Sequence, residues 1–263
     1  MKNPLSLCRA AATLLLLAPV LKAADQPWVP LFNGKNLDGW TAKFRGQECG
    51  ENFADTFRVV DGMIQVSYDS YEKFDSRFGH LFTNIAYSSY ILRLEYRFTG
   101  KKMDDAPSYT NLNSGVMYHS QTPFSMAKEQ SFPASLEFQF LADEGKGPRQ
   151  TGNVCTPGTN IVIDGKLVVD HIVTSTAPTF PEDEWVKVEL EVRGDKEVIH
   201  RINGVEVLRF QGPQLDPRDE LAPATPLLKL GAPKMLEWGH IALQAEGHPV
   251  WFRNIELKSL ETP

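Results

Sequence analysis

The sequence predicts an all-β protein, a sandwich of two antiparallel sheets. Three observations carry this. Short segments alternate apolar and polar residues with a period of two, as where Leu92, Leu94, Tyr96 and Phe98 interleave with Arg93, Glu95 and Arg97. Asp-Gly and Asn-Gly pairs interrupt such segments and supply the positive φ angles of two-residue hairpin turns. Apolar residues at helical spacing are nearly absent after the first 23 residues. The chain's 15 Phe, 7 Tyr and 5 Trp provide enough aromatic bulk to fill the space between two sheets.

The elements follow in chain order. Lys2 and Arg9 flank a short positive region. An apolar run from Ala10 to Val20 and the small residues Ala23 and Ala24 come next. This is the pattern of a secretory signal, and the run is too short to span a membrane. Residues 1–23 are therefore expected to be removed. Residues 24–263 then form a single β domain of an exported protein, periplasmic or extracellular. No later stretch is long and apolar enough to cross a bilayer. Two cysteines, Cys49 and Cys155, remain after cleavage, either as a disulfide across the fold or as two thiols. A net charge of −6 without a Lys/Arg cluster argues against nucleic acid as a partner. Nothing in the pattern fixes an oligomeric state.

Leu31 to Trp40 runs into Asn-Gly and Asp-Gly turns. Phe57–Val66 reads as a hairpin turning at Asp61-Gly62, and Gly79–Thr83 as a short strand. Ile91–Phe98 is a strong strand. Ile161–Val169 is a hairpin turning at Asp164-Gly165, and Val198–Phe210 another turning at Asn203-Gly204. Between them, Val186, Val188, Leu190 and Val192 mark a half-exposed strand. Ile241–Ala245 and Val250–Leu257 complete the set. Gln211 to Glu237, with five prolines, is expected to be a long loop bordering the binding cleft.

The most informative stretch is Asn113 to Phe140. Leu136, Phe138 and Phe140 occupy one face of a strand and belong in the core. Glu137 and Gln139 occupy the other face, about 7 Å apart. They form either a solvated sheet surface or the floor of a polar cleft. Tyr118 and His119 are placed on an adjacent strand.

Taken together, Leu31-Phe32-Asn33-Gly34-Lys35 through Gly39-Trp40, Asp61-Gly62, Leu94-Glu95-Tyr96-Arg97, Asn113-Ser114-Gly115, Glu137-Phe138-Gln139, Trp185, Asn203-Gly204, Gly239-His240-Ile241-Ala242-Leu243-Gln244 and Phe252-Arg253-Asn254-Ile255 occur in an order that resembles the 3-keto-disaccharide hydrolase domain family. That family is also described as 3-keto-glucoside 1,2-lyase and 3-keto-2-hydroxyglucal hydratase. The resemblance implies a concanavalin A-like jelly roll with a carbohydrate cleft on its concave face, and export. This chain departs from the family's habit where Tyr118-His119 replaces an Arg and Cys155 replaces an aromatic residue. Asp143 or Glu144 can supply the acidic residue that the family carries after its Glu-x-Gln strand.

The implied chemistry starts from a hexose oxidised at C3. The ketone acidifies the C2 proton, and the resulting enolate expels the group at C1. Water can then add to the glycal. The site needs a base near C2, help at the C3 oxygen and an acid near the leaving oxygen. Glu137 is the expected acid or base, its pKa raised by a partly dry cleft. His119 and Arg253 complete the catalytic set. Arg253 either stabilises the enolate oxygen or forms a salt bridge to Glu95 or Glu256. Glu95, Asn113, Tyr118, Gln139, His80 and Gln244 are expected to bind the sugar. No cofactor is required by the sequence. A divalent metal stays open, with His80, His119 and Glu137 as ligands, although none of the six histidines shows a metal-ligand spacing. Two other readings stay open, a lectin-like module that only binds glycans and a conventional glycoside hydrolase. The latter needs two carboxylates, and Gln139 stands where the nearest second one would be.

Overall fold

The computed structural model describes residues 26–219 and 222–261. The expected signal segment lies outside the described residues. Two antiparallel sheets pack face to face. The seven-stranded front sheet runs, edge to edge, Ile172–Val173, Asn153–Cys155, Leu136–Leu141, Asn113–Ser120, His240–Ala245, Gly79–Thr83 and Trp40–Phe44. The ten-stranded back sheet runs Lys166–Val168, Thr159–Ile163, Val205–Leu215, Glu197–Ile202, Val186–Arg193, Ser89–Phe98, Val250–Ser259, Met63–Val66 and Phe57–Val60. Val29–Pro30 pairs with Val250–Ser259 as its tenth member. Many neighbours in each sheet are far apart in sequence, as in the concanavalin A-like jelly roll that the family resemblance implies.

The three hairpins turn where expected, because both turn residues take the left-handed conformation. Asp61 and Gly62 sit at φ 50° and 73°, Asp164 and Gly165 at 50° and 74°, and Asn203 and Gly204 at 49° and 81°. Asn and Asp tolerate this region, and Gly enters it freely.

The core lies between the sheets. From the front sheet come Val116, Tyr118, Leu136, Phe138, Phe140 and Leu243, and from the back Leu92, Leu94, Tyr96, Val188 and Phe252, all buried. Phe140 stacks on Tyr96 with ring centroids 4.3 Å apart. Phe138 stacks on His200 at 4.0 Å. The register assigned to Leu136–Phe140 is the one observed.

The stretch from Gln211 to Glu237 departs from expectation. Its first residues continue the strand Val205–Leu215, and Thr225–Lys229 forms a short helix. Leu215 and Ala224 bury themselves with Ala134, and Leu227, Leu228 and Leu236 pack on them. This segment lines an apolar pocket of about 220 Å³ with His119 and His240, and none of its described residues lines the cleft that holds Glu137. It nears that cleft where Asp216 N donates to Gly158 O at 2.9 Å, beside Pro157 of the cleft wall.

Candidate active site

The outer face of the front sheet carries the site. Strand pairing places side chains that face the same way in rows across the sheet. One row is Asn153, Gln139 and Gly115, continued on the next strands by Gln244, His80 and Lys43. The adjacent row is Cys155, Glu137, Met117, Ala242 and Phe82.

A cleft of about 480 Å³ opens over part of this face. Its walls include Tyr109, Asn113, Phe132, Glu137, Gln139, Arg149, Asn153, Cys155, His171 and Glu246. The open amides satisfy one another. Asn153 Nδ2 donates to Gln139 Oε1 at 3.0 Å, and Gln139 Nε2 donates to Asn113 Oδ1 at 3.3 Å.

Glu137 is different. It is 7% exposed, and its Oε1 has no hydrogen-bond partner. It lies over Gly115. A Cβ at that glycine would sit 2.6 Å from Glu137 Oε1 and 2.7 Å from its Cγ. Burial pushes the Glu137 carboxyl up to about 8, opposed weakly by the Cys155 thiol. A second buried carboxyl, Glu246, lines the same cleft with its Oε1 also unpartnered. Burial and the charge of Glu137 push it well above the usual range, and Arg149 pulls it back. Two like charges in one dry cleft resist ionising together, so the pair retains a proton at neutral pH.

Arg149 is fixed by its surroundings. Its guanidinium donates to the carbonyls of Leu112, Ala142 and Asn111 at 2.8–3.0 Å and lies 3.5 Å from Glu144. It brings a permanent positive charge to the cleft.

The expected site residues therefore divide. Glu137, Gln139 and Asn113 meet in the cleft. His80 and Gln244 face the same side but lie fully covered beside it. Tyr118 does not join them. It points into the core, and its hydroxyl pairs with His200 Nε2 at 2.9 Å. His119 does not join them either. A bulge between His240 and Ala242 and a φ of 47° at His119 break the alternation. Its Nε2 donates to Gly194 O, 3.1 Å away in a turn of the back sheet. Arg253 and Glu95 lie on the outer face of the back sheet. They form a salt bridge at 2.7 Å, with Arg253 stacked 3.9 Å over Trp185. Arg253 therefore stands apart from the cleft, and the arginine that lines it is Arg149.

The metal trio fails for the same reason. His80, His119 and Glu137 are not brought together, and among the described residues no group of three or more His, Cys, Asp and Glu is disposed to hold a metal ion. Cys49 and Cys155 are free thiols. The second carboxylate that Gln139 does not supply comes from Glu246, at the end of a distant strand. Alternation after Ile241, Leu243 and Ala245 reaches Glu246 just as it reaches Gln139.

The buried titratable groups set opposing pH dependences. His80 and His200 are pushed down to about 3, and His119 and His248 to about 4, chiefly by burial. Unfolding lets these rings take up protons below about pH 6.5. Their contribution is complete above that value and is lost as pH falls toward the folded values. The carboxyls act oppositely. The folded chain holds protons that the unfolded chain releases above about pH 4.5, so stability declines as pH rises toward 8. The melting temperature should peak at about pH 6.5, and Glu137→Gln should flatten the alkaline side. A wild-type melting temperature that climbs steadily to alkaline pH contradicts this assignment.

Comparisons with known proteins fit the architecture. A proposed glycosyl hydrolase of Parabacteroides distasonis superposes with a TM-score of 0.52 at 19% identity, covering 91% of this chain and 96% of that one. A Bacillus subtilis protein of unknown function with a galectin-like fold superposes with a TM-score of 0.53 at 12% identity, covering 89% and 94%. These likenesses establish the fold. No curated protein matches the sequence. The model of the 3-keto-α-glucoside-1,2-lyase-like domain matches residues 27–258, nearly the whole chain, and with it a carbohydrate-processing role. The chain belongs to the 3-keto-α-glucoside-1,2-lyase-like domain family.

Proposed function

We propose that this protein is an exported enzyme that cleaves or hydrates 3-keto-glycosides through a C2–C3 enolate. The observation that carries the reading is the Glu137 carboxyl, buried and unpartnered at Oε1 in a sugar-sized cleft, where burial raises its pKa to about 8. Of the two coupled carboxyls, Glu137 ionises first and acts as the base at C2. Burial and the charge of Glu137 hold Glu246 protonated, and Glu246 delivers a proton to the leaving oxygen. Arg149 provides positive charge as the C3 oxygen becomes an enolate. The C2–H electrons form the enolate, the C1–O bond breaks, and the products are a 2-hydroxyglucal ketone and the free aglycone. Water adding to the glycal in a second step gives the 3-keto-sugar. Asn113, Gln139 and Asn153 present amides for ring hydroxyls.

Turnover of a 3-keto-glucoside in D₂O should place deuterium at C2 of the rehydrated sugar, read by proton NMR. The pairing of Glu137 with Glu246 also favours a second reading, ordinary glycoside hydrolysis by two carboxylates. Cleavage without C2 exchange, or equal cleavage of the unoxidised glucoside, selects that reading. Binding without turnover of either sugar selects a lectin-like module. Export is tested separately. The intact mass of protein from its native host should begin near Ala24, and a soluble cytoplasmic form retaining Met1 removes the export proposal.

A further inference from the structure

The polar row of the front sheet does not end at the open cleft. It continues under Phe132 to Gln244 and His80, which are paired on neighbouring strands. His80 is fully buried, and neither Nδ1 nor Nε2 has a hydrogen-bond partner. Gln244 Oε1 is equally buried and unpartnered. A neutral imidazole offers one donor and one acceptor. Leaving both unmade in the interior is costly, and native folds keep such groups few. The contrast with the open half is informative, because there Asn113, Gln139 and Asn153 satisfy one another.

Phe132 forms part of the cover over this half. Phe132 lines the open cleft on one side and meets His80 edge-on at 6.1 Å on the other. Its backbone is tied down. Gln130 Nε2 donates to Phe132 O at 2.8 Å and to Gln121 Oε1 at 2.9 Å, and Ala134 N donates to Gln121 Oε1 at 2.7 Å. Within that loop the ring also packs against Phe78 with centroids 4.8 Å apart, so exposing His80 requires the ring to leave this contact. Lys43 does not satisfy His80. Its Nζ is engaged by the carbonyls of Phe44, Gln47 and Lys128.

We propose that the strip beneath Phe132 is a second carbohydrate subsite, uncovered by rotation of the Phe132 ring, in which His80 and Gln244 bind a vicinal hydroxyl pair of a pyranose. Adjacent hydroxyls each donate and accept. One hydroxyl pairs with a single ring nitrogen of His80, and its neighbour donates to Gln244 Oε1 on the adjacent strand. The proposal deepens the functional reading above and rests on it only for the ligand being a sugar.

The test uses methyl α-D-glucopyranoside and the whole protein. This glycoside has no ketone and cannot form the enolate, so failure of the lyase reading appears in C2 exchange and failure of the subsite appears here. The His80 ring nitrogens, assigned by ¹⁵N NMR against His80→Leu, should shift on saturation with the glycoside. His80→Leu and Gln244→Leu should each weaken binding by about ten-fold or more, the loss expected for one or two hydrogen bonds in a buried site. Their melting temperatures should equal or exceed that of the wild type, since each removes unpartnered polar atoms. Phe132→Ala should retain binding and make His80 reactive to diethyl pyrocarbonate. Unmoved His80 resonances, absent binding, or full affinity in both Leu variants would overturn the subsite. So would a lowered melting temperature with unchanged affinity, which marks His80 as merely structural.

Discussion

Glu137→Gln should keep the fold and lose about 10²–10⁴-fold of turnover on a 3-keto-glucoside, the range for removing a general acid–base. Gln has nearly the shape of Glu and fits over Gly115. It cannot take the C2 proton, and Glu246, held protonated by burial and by its charged partner, loses the second of these influences once that partner is gone. The variant should also be more stable than the wild type above neutral pH, because a buried carboxyl that resists ionisation has been removed. Rising stability with falling turnover separates a reacting group from a structural one. Steady-state kinetics and thermal melts at neutral and alkaline pH read both. Full activity in the variant removes Glu137 from the mechanism, and lost stability with lost activity would mean that the fold had been damaged.

One residue further on, the expected outcome reverses. Phe138→Ala should cost about 3–5 kcal/mol of stability, the range for removing a buried phenyl group that its surroundings cannot close over. Phe138 is fully buried, stacked on His200 and edge-on to Phe140. His200 is itself held by Tyr118 and by Gly152 O at 3.0 Å, so the cavity has rigid walls. Denaturant unfolding measures the loss. A cost below about 1 kcal/mol would indicate that the two sheets close up over the missing ring.

These neighbours illustrate how much of the molecule is legible in the chain. A period of two is a strong signal, and Asp-Gly or Asn-Gly turns fix where each hairpin reverses. The core positions and the outward aim of Glu137 follow directly. Alternation states only that a residue leaves the core, not which sheet it leaves from. Glu95 and Arg253 point outward as surely as Glu137 does, but from the back sheet, where they pair with each other. His119 was misplaced by a single bulge residue, which shifts the period without leaving a compositional mark. Arg149 stands after a Gly-rich polar loop with no periodicity, and only the folded chain shows three carbonyls converging on it. Phe132 reads as one more core aromatic, and its position as a partition between two polar compartments depends on which strands lie beneath it.

The glycine at 115 has a consequence for the evolution and redesign of such sites. A carboxylate rooted in a strand normally stands upright, above the sheet and in reach of solvent. Here it reclines, because the neighbouring strand contributes nothing at the facing position. The depth of the base, and through depth its affinity for a proton, is governed by a side chain that is missing. A methyl group at that position would press the carboxylate upward toward water and ordinary acidity, and would also press on the Phe138 carbonyl 2.9 Å away. A related chain with a bulky residue at this place would have to carry its base at another height or on another strand.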